Sequence, residues 1–123
     1  MEKIQSHRDL IVWQRAMDLA VQLYEISRSF PRTEVYAMTS QIRRSVASVA
    51  ANIAEGHARG TARDYAQFLS IARGSLMETE TLLTLAVRLG YTSPETALPS
   101  FDLITQLSKM LTSLRRKILD RVP

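Results

Sequence analysis

Cysteine is absent from the 123-residue chain, and histidine occurs only twice. The lack of cysteine excludes disulfide bonds, thiol catalysis and thiolate-bound zinc, and it is typical of proteins of the reducing cytosol. No uncharged run approaches the roughly 20 apolar residues that a membrane-spanning helix requires. We therefore expect a cytoplasmic protein with no membrane contact, and the length of the chain fits a single domain over residues 1–123.

Residues suited to metal binding or acid–base catalysis are also scarce. His7 and His57 lie near predicted helix ends, and no glutamate is followed by a histidine three residues later, as di-iron bundles require. Glu78 and Glu80 point in different directions because they are two residues apart on a predicted helix. We expect no catalytic residue, no metal site, no cofactor and no small-molecule substrate, and therefore no enzyme.

The charge of the chain is basic and comes mostly from arginine. Thirteen arginines and three lysines face twelve carboxylates, for a net charge of +4. After Pro99 the chain has five cations and two carboxylates. This excess fits either a surface that binds polyanions or a solvated helix end whose cations complement the helix dipole. Arginine suits phosphate because its planar fork donates paired hydrogen bonds. The candidate nucleic-acid contacts are Arg59, Arg63, Arg115, Arg116, Lys117 and Arg121.

Apolar residues recur at alternating spacings of three and four along most of the chain, which predicts amphipathic helices. Pro31 ends the first helix, and Gly56 suits a left-handed cap at the end of the second. Thr61 and Ser93 are predicted N-caps, and Pro99 is predicted to break the last helix because an internal proline removes a hydrogen bond. Short connections predict an all-α, up-down-up-down antiparallel four-helix bundle. The predicted helices span about residues 9–29, 33–56, 61–89 and 94–121.

The second helix has almost no large or charged side chain between Arg44 and Glu55. Such a helix needs a cover, most simply another copy of the chain, or else it is an exposed alanine-rich helix that is stable through propensity alone. Gly74 in the third helix costs about 1 kcal/mol relative to alanine, which close approach by another helix would explain. The candidate contacts between copies are Gln41, Ser45, Ser48, Asn52 and Glu55 in the second helix and Ser70, Gly74, Met77 and Thr81 in the third.

Four segments of the chain resemble a known family at matching separations: DLIVWQRA, FPRTE, SQIRRSVASVAANIAEG and ARGSLME. This is the family of four-helix bundles named after the protein encoded in 23S ribosomal RNA intervening sequences. The resemblance covers nearly the whole chain and is loosest near Pro99. It implies a homopentameric barrel related to the accessory variability determinant (Avd-like) of diversity-generating retroelements. Members of that related group bind nucleic acid through a basic surface and associate with a reverse transcriptase.

Two functions from different classes follow from these features. The first is a non-enzymatic, homo-oligomeric accessory protein that binds RNA or DNA, with a reverse transcriptase as the protein partner that the resemblance implies. Repetition of the basic residues around an oligomer would strengthen their electric field. The alternative is a scaffold or protein-interaction module whose basic face meets an acidic protein or stays in water. Nucleic-acid binding that falls steeply with salt would distinguish the first from the second.

Overall fold

The computed structural model describes residues 4–123 of the chain. Four α-helices pack in cyclic order, each against two neighbours, and short turns at residues 58–61 and 89–93 make successive helices antiparallel. The prediction of an all-α four-helix bundle is confirmed. The helices are α1 (Ile11–Ser27), α2 (Met38–His57), α3 (Ala62–Arg88) and α4 (Pro94–Leu119), with short 3-10 turns at His7–Asp9 and Arg32–Glu34.

One row of aliphatic side chains from each helix fills the core. The rows repeat at the heptad spacing seen in the sequence, and most of their members are fully buried. Removing each valine, leucine or isoleucine side chain from water contributes about 1.5–3 kcal/mol before entropy is counted. The rows are Val12, Ala16, Leu19 and Leu23 in α1; Ile42, Val46, Val49 and Ile53 in α2; Leu69, Ala72, Leu76 and Leu83 in α3; and Ile104, Leu107, Leu111 and Ile118 in α4.

Helix α1 begins two residues and α2 five residues after the predicted starts, because short 3-10 turns precede both helices. Asp9 ends the first 3-10 turn, so α1 begins at Ile11. The second turn, Arg32–Glu34, keeps the chain out of α2 until Met38. The side chain of Glu34 then caps α2 from outside, because its Oε2 accepts a hydrogen bond from the backbone N–H of Met38 at 3.2 Å.

The predicted N-caps of the last two helices are confirmed. Thr61 Oγ1 accepts the backbone N–H of Asp64 at 3.1 Å, and Ser93 Oγ accepts that of Thr96 at 3.1 Å. These hydroxyls satisfy backbone donors that have no partner inside the helix.

The predicted break at Pro99 is wrong, because α4 is continuous through this residue. Pro99 lies in the second turn, where its missing N–H costs only the bond to the carbonyl of Glu95, an exposed residue that water can reach. The face of α4 next to Pro99 is fixed by packing, since Ala97 and Ser100 on that face are buried. Ser100 Oγ also donates a hydrogen bond to Gln22 Oε1 in α1 at 2.7 Å.

Gly56 has a role different from the predicted one, and Gly74 has no close neighbour within the described chain. Gly56 lies inside α2, and among the described residues a positive φ occurs only at Gly90 (75°), so a left-handed cap at Gly56 is wrong. A Cβ on Gly56 would lie 2.7 Å from Cβ of Phe68, which shows that this glycine lets α2 approach α3. Outside its own helix backbone, no atom of residues 4–123 lies within 4 Å of a Cβ built on Gly74, so no other helix in that range approaches it closely.

Candidate nucleic-acid interface and assembly surfaces

A group of exposed cations on α4, at its C-terminal end and on the neighbouring α3 has no carboxylate partner within the described residues. Within residues 4–123, ion pairs shorter than 4 Å join only Arg15 to Asp18, Arg28 to Glu25 and Arg59 to Glu55. None of these pairs involves α4, and Arg73 of α3 is likewise unpaired. We call this group the basic face. It consists of Arg73, Lys109, Arg115, Arg116, Lys117 and Arg121, all exposed.

A groove between α3 and α4 brings cations from the two helices together. Its volume is about 380 Å³, and its polar lining consists of Arg73, Arg115, Arg116, the hydroxyl residues Ser70 and Thr112, and one carboxylate residue, Asp120. A second groove of about 290 Å³ is lined by Arg73, Arg116 and Lys109. Guanidinium groups beside hydroxyls are the donors that phosphate oxygens accept from. The grooves therefore offer a set of donors suited to a phosphate backbone.

The predicted cations differ in how available they are. Arg59 is the least available, because its Nη2 lies 2.9 Å from Glu55 Oε1 and its guanidinium stacks 4.7 Å from the centre of the Phe68 ring. Arg115 is partly used, since its Nε donates to the carbonyl of Ala66 at 3.2 Å. Arg63 is exposed in the first turn of α3. In the described part of the chain, no ion pair and no side-chain hydrogen bond involves Arg116, Lys117 or Arg121.

Two residues of the basic face were missed in the sequence. Lys109 lies seven residues before Arg116, so both occupy one side of α4, and this spacing could have found it. Arg73 had no such signal, because only the packing of α3 on α4 places it beside Arg116. The candidate site thus combines one helix face that is readable from the sequence with a residue from a neighbouring helix.

The small-residue stripe of α2 is covered by α3 of the same chain. The hydroxyl of Thr79 lies 2.9 Å from Ser45 Oγ, and Ser48 Oγ lies 2.9 Å from Ser75 Oγ. Asn52 Nδ2 donates to the carbonyl of Ser48 at 2.8 Å. Ser45 is only 4% exposed. The argument that a second copy must cover this stripe is therefore wrong, because α3 already covers it.

The other predicted contacts between copies lie at the ends of that stripe or on α3. Gln41 and Glu55 are exposed, and Glu55 is paired with Arg59. On α3 the predicted seam is open in the single chain and stays a prediction. Three of its members, Ser70, Gly74 and Thr81, are exposed, while Met77 packs partly against the core.

A different surface, the α1–α2 groove, carries exposed apolar side chains. Its volume is about 550 Å³. Val21 is 62% exposed, Tyr24 44% and Met17 41%. The sequence did not point to this surface, because its α1 residues repeat beside the core row and look like a wider core face. The apolar residues lining the α1–α2 groove are Trp13, Met17, Ala20, Val21, Tyr24, Ala47, Ala50 and Ala51.

The pKa values of two titratable groups, Tyr65 and Asp9, are shifted by their surroundings. Burial raises the pKa of Tyr65, and the nearby charge of Arg121 opposes that rise. The pKa of Asp9 is lowered chiefly because the carboxylate accepts the backbone N–H groups of Gln5 and Ser6.

Within residues 4–123 no three histidine or acidic side chains come together as metal ligands. In the same range no helix has both the length and the apolar character needed to cross a bilayer.

These features define a four-helix bundle with a cationic face on α4 and an apolar groove between α1 and α2. The family model for 23S rRNA-intervening sequence protein matches residues 8–113, and the chain belongs to this family. Among solved structures, it is similar to a protein of unknown function from the S23 ribosomal protein family of Bacteroides thetaiotaomicron. The two are 27% identical with a TM-score of 0.79, over 85% of this chain and 98% of that one. No functionally curated protein matches the chain.

Proposed function

We propose that this protein is a non-enzymatic accessory protein that binds the phosphate backbone of RNA or DNA through its basic face. The observation that carries the proposal is that the six cations of this face are exposed and, within residues 4–123, have no carboxylate within 4 Å. Cations that are not neutralised inside the protein can displace the counterions of a polyanion, which supplies most of the affinity of nonspecific binding.

The relationship to Avd-like proteins that the sequence motifs imply supports the same proposal. Under that relationship a reverse transcriptase is the protein partner, and the basic face would hold the nucleic acid on which the partner acts. The name of the family refers to where its genes lie and adds no further support. The proposal therefore rests on the charge arrangement of α3 and α4.

The test measures binding of fluorescently labelled RNA and DNA by anisotropy at salt concentrations from 50 to 200 mM. The affinity of the intact protein should fall steeply with salt. The double variant Arg73→Ala/Arg116→Ala should weaken binding to every sequence alike and reduce the slope of log affinity against log salt by about two. Arg59→Ala is the matched control, because Glu55 already neutralises that cation. If the intact protein binds neither nucleic acid at 50 mM salt, the proposal fails.

We further propose that copies of the chain associate through the α1–α2 groove. At this groove the lining residues Arg28 and Glu25 are paired, and Arg43 stacks on the ring of Tyr24, 4.8 Å from its centre. A second copy with a net charge of +4 is repelled less there than at the basic face, whose six cations have no ion pair within residues 4–123. The exposed apolar side chains of the groove supply a favourable surface to bury. A pentamer is the assembly that the family resemblance implies.

Light scattering coupled to size-exclusion chromatography tests this assembly. Val21→Glu should dissociate the oligomer, because a charge would enter the buried contact, and helicity should be retained since Val21 is 62% exposed in the single chain. Leu98→Glu is the control, because Leu98 is 56% exposed and does not line the α1–α2 groove. A monomeric intact protein at micromolar concentration would contradict the proposed assembly.

A scaffold role without nucleic acid is the second candidate function. The observation that favours it is the α1–α2 groove, whose apolar lining also suits a different protein. Under this function a defined protein partner should remain bound after nuclease treatment and should be released by Val21→Glu. Recovery of the partner only through nucleic acid would exclude the scaffold role.

A further inference from the structure

A third surface lies where the first 3-10 turn and the start of α1 face the second half of α4. It forms an open groove of about 780 Å³, which we call the N-terminal groove. More than half of its lining residues are apolar, and no aromatic ring lines it. The apolar residues are Ile4, Leu10, Ile11, Val12, Met110 and Leu114, and the polar ones are Asp9, Gln14, Lys109, Ser113 and Lys117.

Two of the apolar residues in this groove are left in water. Ile11 is 60% exposed and Ile4 is 49% exposed, although Val12 and Leu10 beside them pack against the core. Exposed isoleucines on a shared concave surface gain free energy when a partner covers them. The shape and the lining of the groove therefore favour a partner with an apolar side.

Charge decides which apolar partner fits. Lys109 and Lys117 are the only lysines in residues 4–123, and both line the N-terminal groove. Neither has a carboxylate within 4 Å in that part of the chain. They are eight residues apart on α4, which corresponds to about 12 Å along the helix axis. Their aliphatic stems extend the apolar walls, while their ammonium groups stay at the rim.

One carboxylate also lines the groove and has to be accounted for. Asp9 Oδ2 accepts the backbone N–H of Gln5 at 2.9 Å and that of Ser6 at 3.2 Å. These bonds hold the carboxylate at the 3-10 turn, away from direct contact with either lysine. The rim facing a partner along α4 is therefore cationic.

We propose that the N-terminal groove binds an acidic amphipathic helix of a partner protein, with its apolar side on Ile11 and Met110 and its carboxylates at Lys109 and Lys117. Carboxylates seven or eight residues apart on the bound helix would match the spacing of the two lysines. A second copy of this chain fits less well, because it brings a net charge of +4 to a cationic rim. A phosphate backbone gains nothing from the apolar floor.

The test uses the full chain after nuclease treatment and a labelled 18-residue peptide of leucine, alanine and glutamate. Its leucines lie on one helical side, and its glutamates flank them two turns apart. Two control peptides have lysine in place of glutamate, or the same composition in scrambled order. Anisotropy should show binding of the acidic amphipathic peptide, with the control peptides at least about tenfold weaker because each lacks one of the two complementary features.

Variants of the chain locate the binding site. Ile11→Ser should weaken peptide binding about tenfold through lost apolar contact. Lys109→Ala/Lys117→Ala should weaken it about fivefold through two lost surface ion pairs. Leu98→Ser is the matched control for Ile11, because Leu98 is 56% exposed and lines neither the N-terminal groove nor the α1–α2 groove. Arg32→Ala/Arg88→Ala is the matched control for the lysine double variant, because it also removes two exposed cations and neither of them lines the N-terminal groove. Thermal unfolding followed by circular dichroism verifies that each variant is folded.

Several outcomes would overturn the proposal. Equal binding of the lysine peptide would exclude the role of charge, and an unchanged affinity of Ile11→Ser would place the peptide elsewhere. Displacement of the peptide by laurate at lower concentration than by unlabelled peptide would identify an alkyl carboxylate as the ligand instead. Failure of peptide binding can be distinguished from failure of nucleic-acid binding. Ile11→Ser should leave RNA and DNA affinity unchanged, and Arg73→Ala/Arg116→Ala should leave peptide affinity unchanged.

Discussion

The hydroxyl of Tyr91 donates a hydrogen bond to Oε1 of Glu34 across 3.0 Å. The ring of Tyr91 also packs against Phe30, with 5.8 Å between the ring centres. Since Glu34 Oε2 accepts the N–H of Met38, one carboxylate joins the turn after α3 to the start of α2. The FPRTE motif, which carries part of the family resemblance, thus has a structural role: its first and last residues both contact Tyr91.

This contact predicts a pH dependence of stability. The pKa of Tyr91 is raised above its ordinary value of 10.0, chiefly because its hydroxyl donates to Glu34. The neutral phenol is favoured in the folded state, so its contribution to stability is complete below pH 10 and is lost as the pH rises through the raised pKa. Urea unfolding above pH 9 should show this loss in the wild type and not in Tyr91→Phe. Tyr65 titrates in both proteins and cancels in the difference.

Glu34→Gln provides the matching spectroscopic measurement. The amide keeps an acceptor for Met38 but removes the negative charge, so the pKa of Tyr91 should move back toward 10.0. Phenolate absorbance during an alkaline titration measures the shift. A titration curve identical to that of the wild type would show that Glu34 does not hold the Tyr91 proton.

Gly56 and Gly74 should respond in opposite ways to the same substitution. Gly56→Ala places a methyl group 2.7 Å from Cβ of Phe68, and the overpacking should cost about 1–3 kcal/mol, more than the helix propensity gains. Gly74→Ala meets no atom within 4 Å and should stabilise the single chain by about 0.5–1 kcal/mol. Urea unfolding at several protein concentrations measures both changes. Equal effects of the two substitutions would contradict the close approach of α2 and α3 at Gly56.

The proposed nucleic-acid site should prefer a duplex to a single strand of equal length. No tryptophan, tyrosine or phenylalanine lines the two grooves of the basic face, so unpaired bases have no ring to stack on. A duplex presents phosphates at higher density, and a face that acts through charge alone gains from that density. Competition between a labelled hairpin and an unstructured strand at one salt concentration measures the preference. Tighter binding of the unstructured strand would point to base contacts elsewhere on the protein.

Pro99→Ala should stabilise the protein by up to about 3 kcal/mol, because α4 is continuous and the substitution restores a helical N–H. Pro94→Ala is the control, since proline at the first helical position lacks only an N–H that has no helical partner. Chemical denaturation measures both variants. A loss of stability in Pro99→Ala would indicate that the rigid proline ring contributes more than the restored hydrogen bond.

The sequence predicted the bundle because helical period and capping act locally. The core rows were visible as heptad spacing, and the hydroxyls of Thr61 and Ser93 cap the two helices they precede. Two local predictions failed where a distant contact takes over. The start of α2 depends on Glu34, which is fixed by Tyr91, and the continuity of α4 at Pro99 is supported by Ser100 bonding Gln22.

The candidate surfaces were less predictable, because a helix face can be covered by any neighbour. The stripe containing Ser45 and Ser48 would have the same sequence whether it met α3 of its own chain or a second copy. Only the tertiary structure pairs these residues with Thr79 and Ser75. The same packing leaves the α1–α2 groove uncovered, which moves the proposed contact between copies to that surface.

The sequence by itself determined the class of fold, the excess of arginine and the position of cations along α4, because periodicity and charge are properties of neighbouring residues. Tertiary structure alone decided which of those cations act together. It stacks Arg59 on the ring of Phe68, brings Arg73 beside Arg116, and leaves Lys109 and Lys117 at the rim of an apolar groove. The physical reason is that free energies of pairing and burial depend on distances across the bundle, which are set by how the four helices pack.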